Sequence, residues 1–450
     1  MGQRRVDSQA VTAVISVCAL LLLQGCTGGV SSRDVAGYDG ALARGDYKGA
    51  AELAVAAGQI GPDGTSKNLV WSLNAGAAMV QTGDGKRTIP VLDGAERMMQ
   101  SRDLTSIDTS GQYRAKTYDG VMVNTYKAIA AMQAGDSQTA RVELRRAEDR
   151  QRRAEEEFQK EATAVQAKAT QDKVDTGSGI RSLQGNVEYQ RAMREMSNYG
   201  GYAPFVNPFS TYLLGLYLLN SPASEPDQAR AAFGRVRGIV GPSSLLNSDY
   251  ALAERGRKPS PKTWVIFENG QGSTLTEYSL QIPIPIVTRG RVDASLVRLA
   301  LPQLRENGPA TRGLLVGDVG APTTSVGNFD YVQRSEFSRR YPTIVAAAIA
   351  EVAVKALAQN LAANVDKSGI ASLITIVASQ VSNADTRSWT ALPKEFQAAR
   401  IETPKNGQVR LRTAEGADLG TATVPIDASS IVYVKALRPG SPPAIQVLRF

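Results

Sequence analysis

Residues able to do covalent or metal chemistry are almost absent from this chain. Among its 450 residues there is no histidine, and its two cysteines are Cys18 and Cys26. That composition excludes His-assisted serine or cysteine catalysis, Cys/His zinc sites and His-ligated haem. No Gly-x-Ser-x-Gly occurs and no serine stands three residues before a lysine, so two further nucleophile motifs are missing. Chemistry by carboxylates alone, such as glycoside cleavage by an acid pair, survives this filter and leaves no local signature. The expectation is a protein that is not an enzyme and that holds neither cofactor nor metal. Trp264 and Trp389 are the side chains suited to stack on a sugar ring. For Trp389 the core is the stronger expectation, because it sits between an apolar helix and the closing strands, with Asp385 and Arg387 as local braces.

Cys26 is the one reactive thiol outside the leader. It follows Arg4, Arg5 and an apolar run from Val11 to Leu23, the order of an export signal. The run is too short to span a bilayer. Leu23-Gln24-Gly25-Cys26 resembles the lipobox of bacterial lipoproteins, apart from Gln24, where a small or branched residue is usual. The resemblance implies that Cys26 is acylated, for example with palmitate, and becomes the mature N-terminus. Thr27 is not aspartate, and the sorting rule for such proteins then implies the outer membrane, with the body in the periplasm. Several acyl chains hold a protein on a bilayer far more firmly than one. Removal of residues 1–25 takes two arginines and one aspartate, which leaves 49 basic and 42 acidic side chains and a net charge of +7. A mean hydropathy of −0.20 leaves no room for several membrane spans.

A chain of this length suits two domains behind a tether at residues 26–37. Residues 38–240 read as helical. Gly45-Asp46-Tyr47 separates two runs of helically spaced alanines, and Gly83-Asp84 and Gly135-Asp136 repeat the punctuation. The small residue, Gly-Asp-Tyr and following alanine resemble the inter-helix turn of tetratricopeptide repeats. The uneven spacing of these turns makes the expected array a degenerate one. From Arg141 to Glu161 seven basic and seven acidic residues alternate. Glu148 with Arg152, Asp149 with Arg153 and Glu156 with Lys160 are pairs four apart with the acid first. This stretch is expected to project as a helical arm that turns near Gly177 and returns to Met196. Its charges sum to zero, which argues against nucleic acid as a partner. Asn207-Pro208 starts a buried helix, and Asp227 to Val240 gives the closing one.

Residues 241–262, with four prolines or glycines near their ends and a basic cluster, read as a linker. Beyond them the period becomes strand-like, and residues 263–450 read as a mixed α+β domain with a mostly antiparallel sheet. Strands are expected at Thr263–Phe267, Leu275–Ile282, Val297–Leu301, Leu314–Asp318, Thr323–Val326, Ala398–Glu402, Gln408–Thr413, Ser430–Leu437 and up to Phe450. Helices are expected from Phe329 through residue 365 and from Ile370 to Val381. Ile282-Pro283-Ile284-Pro285-Ile286 belongs at an edge, because proline cannot donate to a ladder.

The lipobox, the Gly135-Asp136 turn with its Arg/Glu helix, Asn207-Pro208-Phe209, Glu268-Asn269-Gly270 and Asp385 to Pro393 together resemble a family of bacterial lipoproteins with a tetratricopeptide-like front half. The resemblance implies an envelope role and no site residue beyond Cys26. The leading expectation is a scaffold or interaction protein of the cell envelope, membrane-held through its lipid, whose array and arm bind a protein partner. A peptidoglycan- or glycan-binding module through Trp264 or Trp389 is the second expectation, and a carboxylate glycosidase the third.

Overall fold

The structure is a computed structural model that describes residues 32–101, 113–172, 175–197, 200–288, 291–365 and 384–450. Cys26, the leader and the expected helix at 370–381 lie outside the described residues.

The Gly-Asp dipeptides build the front half. Gly45, Gly83 and Gly135 take φ of 71°, 77° and 74°, the left-handed geometry that ends a helix at little cost only for glycine. The next residue starts the following helix: Asp46, Asp84 and Asp136 accept the backbone N–H of Gly49, Arg87 and Thr139 at 2.8, 3.2 and 3.0 Å. Three helical hairpins result, α1 (Ser32–Ala43) with α2 (Tyr47–Gly58), α3 (Leu69–Val80) with α4 (Gly85–Ser101), and α5 (Thr117–Ala134) with α6 (Ser137–Gln171). After α7 (Thr176–Gln184) and α8 (Val187–Ser197), a further pair follows, α9 (Pro208–Asn220) with α10 (Pro226–Val240). Asn207 caps α9 as expected, accepting the Ser210 N–H at 3.3 Å.

The expected linker is a correction. It contains α11 (Ser244–Glu254), which packs on α10 with Leu246, Asp249, Leu252 and Ala253 buried, so the array closes one helix later. Ser243, just after Pro242, caps it through the Leu246 N–H at 3.2 Å. The flanking prolines bound that helix on both sides, and only the stretch from residue 255 to 261 connects.

The strands are β1 (Lys262–Asn269), β2 (Thr274–Thr288), β3 (Arg291–Arg305), β4 (Leu314–Val316), β5 (Ala321–Pro322) and β6 (Thr324–Asn328). After α12 (Phe329–Val365) come β7 (Glu395–Glu402), β8 (Gln408–Thr413), β9 (Asp418–Thr423), β10 (Ser430–Ala436) and β11 (Ala444–Arg449). One sheet has the order β11-β10-β1-β7-β6, antiparallel except for β1 beside β10. A second runs β5-β4-β8-β9, and β2 with β3 form a long two-stranded hairpin. These are the helical front half and mostly antiparallel back half expected.

Alternation along the central strand β1 fixes the layers. Trp264 and Ile266 join the helices in one core, whereas Val265 and Phe267 join the second sheet in another. The first core runs without a break from Tyr38 in α1 to Leu448 in β11. Phe209 of α9 stacks on Phe396 of β7 at 3.6 Å between ring centroids, and Tyr126 of α5 meets Trp389 edge to face at 5.6 Å. One face of the helical array is therefore covered by the chain's own sheet.

The arm is the second correction. Its outer charges pair along the helix, as in Glu156 with Lys160 at 2.7 Å, but Glu143 and Glu148 on its inner face are buried against Lys127 and Arg235. Asp149 pairs with Arg152, and Arg153 with Glu157 at 3.8 Å, instead of with each other. Gly177 lies in the first turn of α7, started by Asp175, which accepts the Ser178 N–H at 3.1 Å. The returning helices pack on protein: Leu183 of α7 shares a core with the apolar face of the β2–β3 hairpin and with Phe337, Tyr341, Val345, Ile349 and Val352 of α12. The arm is thus one wall of a lobe. Glu336 of α12 binds that lobe to the array by accepting the N–H groups of Thr117 and Tyr118 at 2.6 and 3.1 Å, where α5 begins.

Candidate partner-binding site

Among the described residues, three buried carboxylate clusters are matched by cations or donors that fix them in place. Lys127 of α5 lies 2.7, 2.8 and 3.0 Å from Asp93, Glu96 and Glu143, and Arg150 of α6 reaches Glu96 at 2.6 Å. Burial alone would raise the Glu96 carboxyl, but Lys127, Asn124 and Arg150 outweigh it and hold it at about 2. Asp249 of α11 takes hydrogen bonds from Tyr212 at 2.7 Å and Trp264 at 3.3 Å and pairs with Arg400; burial still raises its carboxyl. Glu268 of β1 is paired with Lys435 of β10 and also meets the hydroxyls of Tyr126 and Tyr433. These clusters tie α4 to α5 and α6, α11 to β7, and β1 to β10. Among the described residues no group of His, Cys, Asp or Glu is arranged to hold a metal ion.

Trp264 and Trp389 are 0% and 2% exposed, so neither offers a ring face to a sugar. The stacking-platform expectation fails at both, because each ring fills the joint between helices and sheet. Asp385 and Arg387 do brace each other, with Arg387 Nε 2.7 Å from Asp385 Oδ1.

An open cleft of about 690 Å³ lies on the lobe. It is lined by Ser279 and Gln281, on the face of β2 away from the lobe core, by Leu280 between them and by Arg298 of β3. Its wall is the α7–α8 turn, Gly185 to Glu188. Asn186 shapes that wall by accepting the N–H groups of Glu188 and Tyr189 at 2.9 and 3.1 Å. Arg298 donates to Ser279 Oγ at 3.2 Å, and the exposed apolar side chains Val187 (74%) and Leu296 (61%) belong to the same region. A polar floor with apolar side chains near its rim suits a peptide better than a small apolar ligand. Sequence reading missed this site, since Ser279, Gln281 and Arg298 look like any outward strand residues; the one signal was the Pro283–Pro285 pair at the edge.

No known family model matches the chain, and no curated protein matches it either. The likeness to envelope lipoproteins therefore rests on the residues quoted above.

Proposed function

We propose that this chain is a lipid-anchored scaffold of the bacterial cell envelope, held on the periplasmic face of the outer membrane through Cys26, and that it binds a protein partner. The observation that carries the reading is the lobe: a second core, a long hairpin and an open cleft built apart from the core that joins array to sheet. The array's covered face is filled by the chain's own sheet, so binding belongs to the lobe and not to a groove in the array. No helix of the described residues is long and apolar enough to cross a membrane, which accords with anchoring by lipid.

Fractionation tests the anchor. Cys26→Ala should move the protein from the membrane to the soluble periplasmic fraction, and retention with the outer membrane would refute the lipid tether. Crosslinking in intact cells followed by purification tests the scaffold. A defined protein partner supports it, whereas sedimentation with isolated cell wall would favour peptidoglycan binding.

A further inference from the structure

Several turns meet at the end of the two sheets where β1 begins. Lys262 donates its backbone N–H to Ser429 Oγ at 3.2 Å and pairs with Glu402, and the Thr263 and Thr403 hydroxyls lie 3.1 Å apart. The connector at 255–261, the turn at 404–407 and the loop before β10 therefore adjoin. Strand β4 runs to the same end, because Gly317 follows its pairing with β8 and donates to the Arg410 carbonyl at 2.8 Å. Beyond it the turn from Gly317 to Gly320, with φ of 69° and 65° at its two glycines, projects Val319, which is 88% exposed. Ile426, 61% exposed, sits by the 404–407 turn, where a Cβ on Gly407 would be 3.3 Å from its Cγ2.

Cations share this end with the two aliphatic tips. Arg255, Arg257 and Lys258 on the connector and Lys405 on the turn are exposed, and among the described residues none of the four has an ion-pair partner. Arg412 reaches to within 3.5 Å of where a Cβ on Gly320 would lie, and Arg449 stands opposite Ser430. The acids at this end are Glu254, Asp318, Asp427 and Glu402, and Glu402 is taken by Lys262. The surplus is positive. A protein partner is met by a contiguous apolar patch, and these tips do not form one. Separate aliphatic tips beside unpaired cations suit a bilayer, where the tips sink to the acyl boundary and the cations meet phosphates.

We infer that this end of the sheets, through Val319, Ile426, Arg255, Arg257, Lys258 and Lys405, is a second membrane contact that takes an anionic phospholipid surface. It goes beyond the lipid tether proposed above. Salt screens so few charges to a weak hold at physiological ionic strength, so the contact adds to the tether and does not replace it. The tether enters through α1, which ends at the opposite margin of the first sheet, where Gly45 lies against Pro442 in the β10–β11 turn. Contacts at both ends lay the strands along the bilayer instead of standing them upright on it.

The test uses the full mature chain with Cys26→Ala, made without its leader so that it carries no lipid, in flotation with phosphatidylcholine vesicles containing about one third phosphatidylglycerol. At low salt it should bind these about tenfold more strongly than pure phosphatidylcholine vesicles, and about 1 M salt should abolish the binding. Arg255→Glu, Arg257→Glu and Lys258→Glu together should weaken it about tenfold, and so should Val319→Asp with Ile426→Asp. All five side chains are exposed, so thermal melting should stay that of the parent. A fluorescent amino acid at position 319 should be quenched by brominated acyl chains, and one at position 142 on the array should not. No binding of the parent to the anionic vesicles, binding unchanged in either folded variant, or equal quenching at 319 and 142 overturns the inference. Each of these results leaves the tether and the protein partner standing, because the chain tested carries no lipid and meets no other protein.

Discussion

Glu268 and Lys435 are direct neighbours across the parallel β1–β10 pair and are 0% and 1% exposed. A buried charge whose partner is removed destabilises far more than the pair itself contributes. Lys435→Met should therefore cost about 3–5 kcal/mol in urea unfolding. Combining it with Glu268→Gln should recover much of that loss, since the Tyr126 and Tyr433 hydroxyls can still hydrogen-bond to an amide oxygen. Asp119 in the first turn of α5 behaves differently. It accepts the Tyr113 hydroxyl at 2.6 Å and the Lys116 N–H at 2.8 Å through Oδ2, while Oδ1 has no hydrogen-bond partner. Burial pushes its carboxyl up to about 6 from 3.8. The folded state then holds a proton that the unfolded state has released between these values, so stability falls as pH rises from 3.8 to about 6 and is level above. Urea melts of the parent and Asp119→Asn at pH 4 and 6.5 should show the parent losing about 2 kcal/mol relative to the variant. Parallel curves would show that Asp119 is charged throughout.

Gly135 isolates the contribution of backbone conformation to a helical hairpin, because a Cβ there would meet nothing within 4 Å while φ stays at 74°. Gly135→Ala should cost about 1–2 kcal/mol and Gly135→Asn distinctly less, as measured by thermal unfolding. Gly85→Ala should be worse despite its ordinary helical φ, since the added Cβ would lie 1.9 Å from the Ala130 carbonyl oxygen of α5. The three Gly-Asp turns were legible in the sequence because left-handed backbone and helix capping each demand a residue type. Strand β9 was not legible, because Asp418 to Thr423 contains Gly420 and a single leucine. The cations that lock the cores were also hidden. Lys127 meets Glu96 from 31 positions away and Lys435 meets Glu268 from 167, and no local pattern records such a pairing. The cleft had the same difficulty, since its floor and wall come together only when the arm folds back on the hairpin.

The whole molecule has its largest core in common between front and back halves, so the boundary drawn from composition is not a mechanical one. Circular dichroism of the helices and tryptophan fluorescence should then melt at the same temperature, and two separated transitions would show that the halves unfold independently. Trp389→Ala should lower both signals together by about 3–5 kcal/mol, because the indole is packed against Tyr126 of the array as well as against its own loop. The covered face of the array also sets a schedule for synthesis. The helices leave the ribosome first, yet β1 waits for β7 and for β10, whose pairing begins at Ser430, and β11 ends at Arg449. Until β10 is made, the array carries a bare apolar face and Glu268 has no ammonium beside it. The nascent chain must be kept from premature association until these strands are made, and a stop codon gained before Ser430 would leave that face exposed.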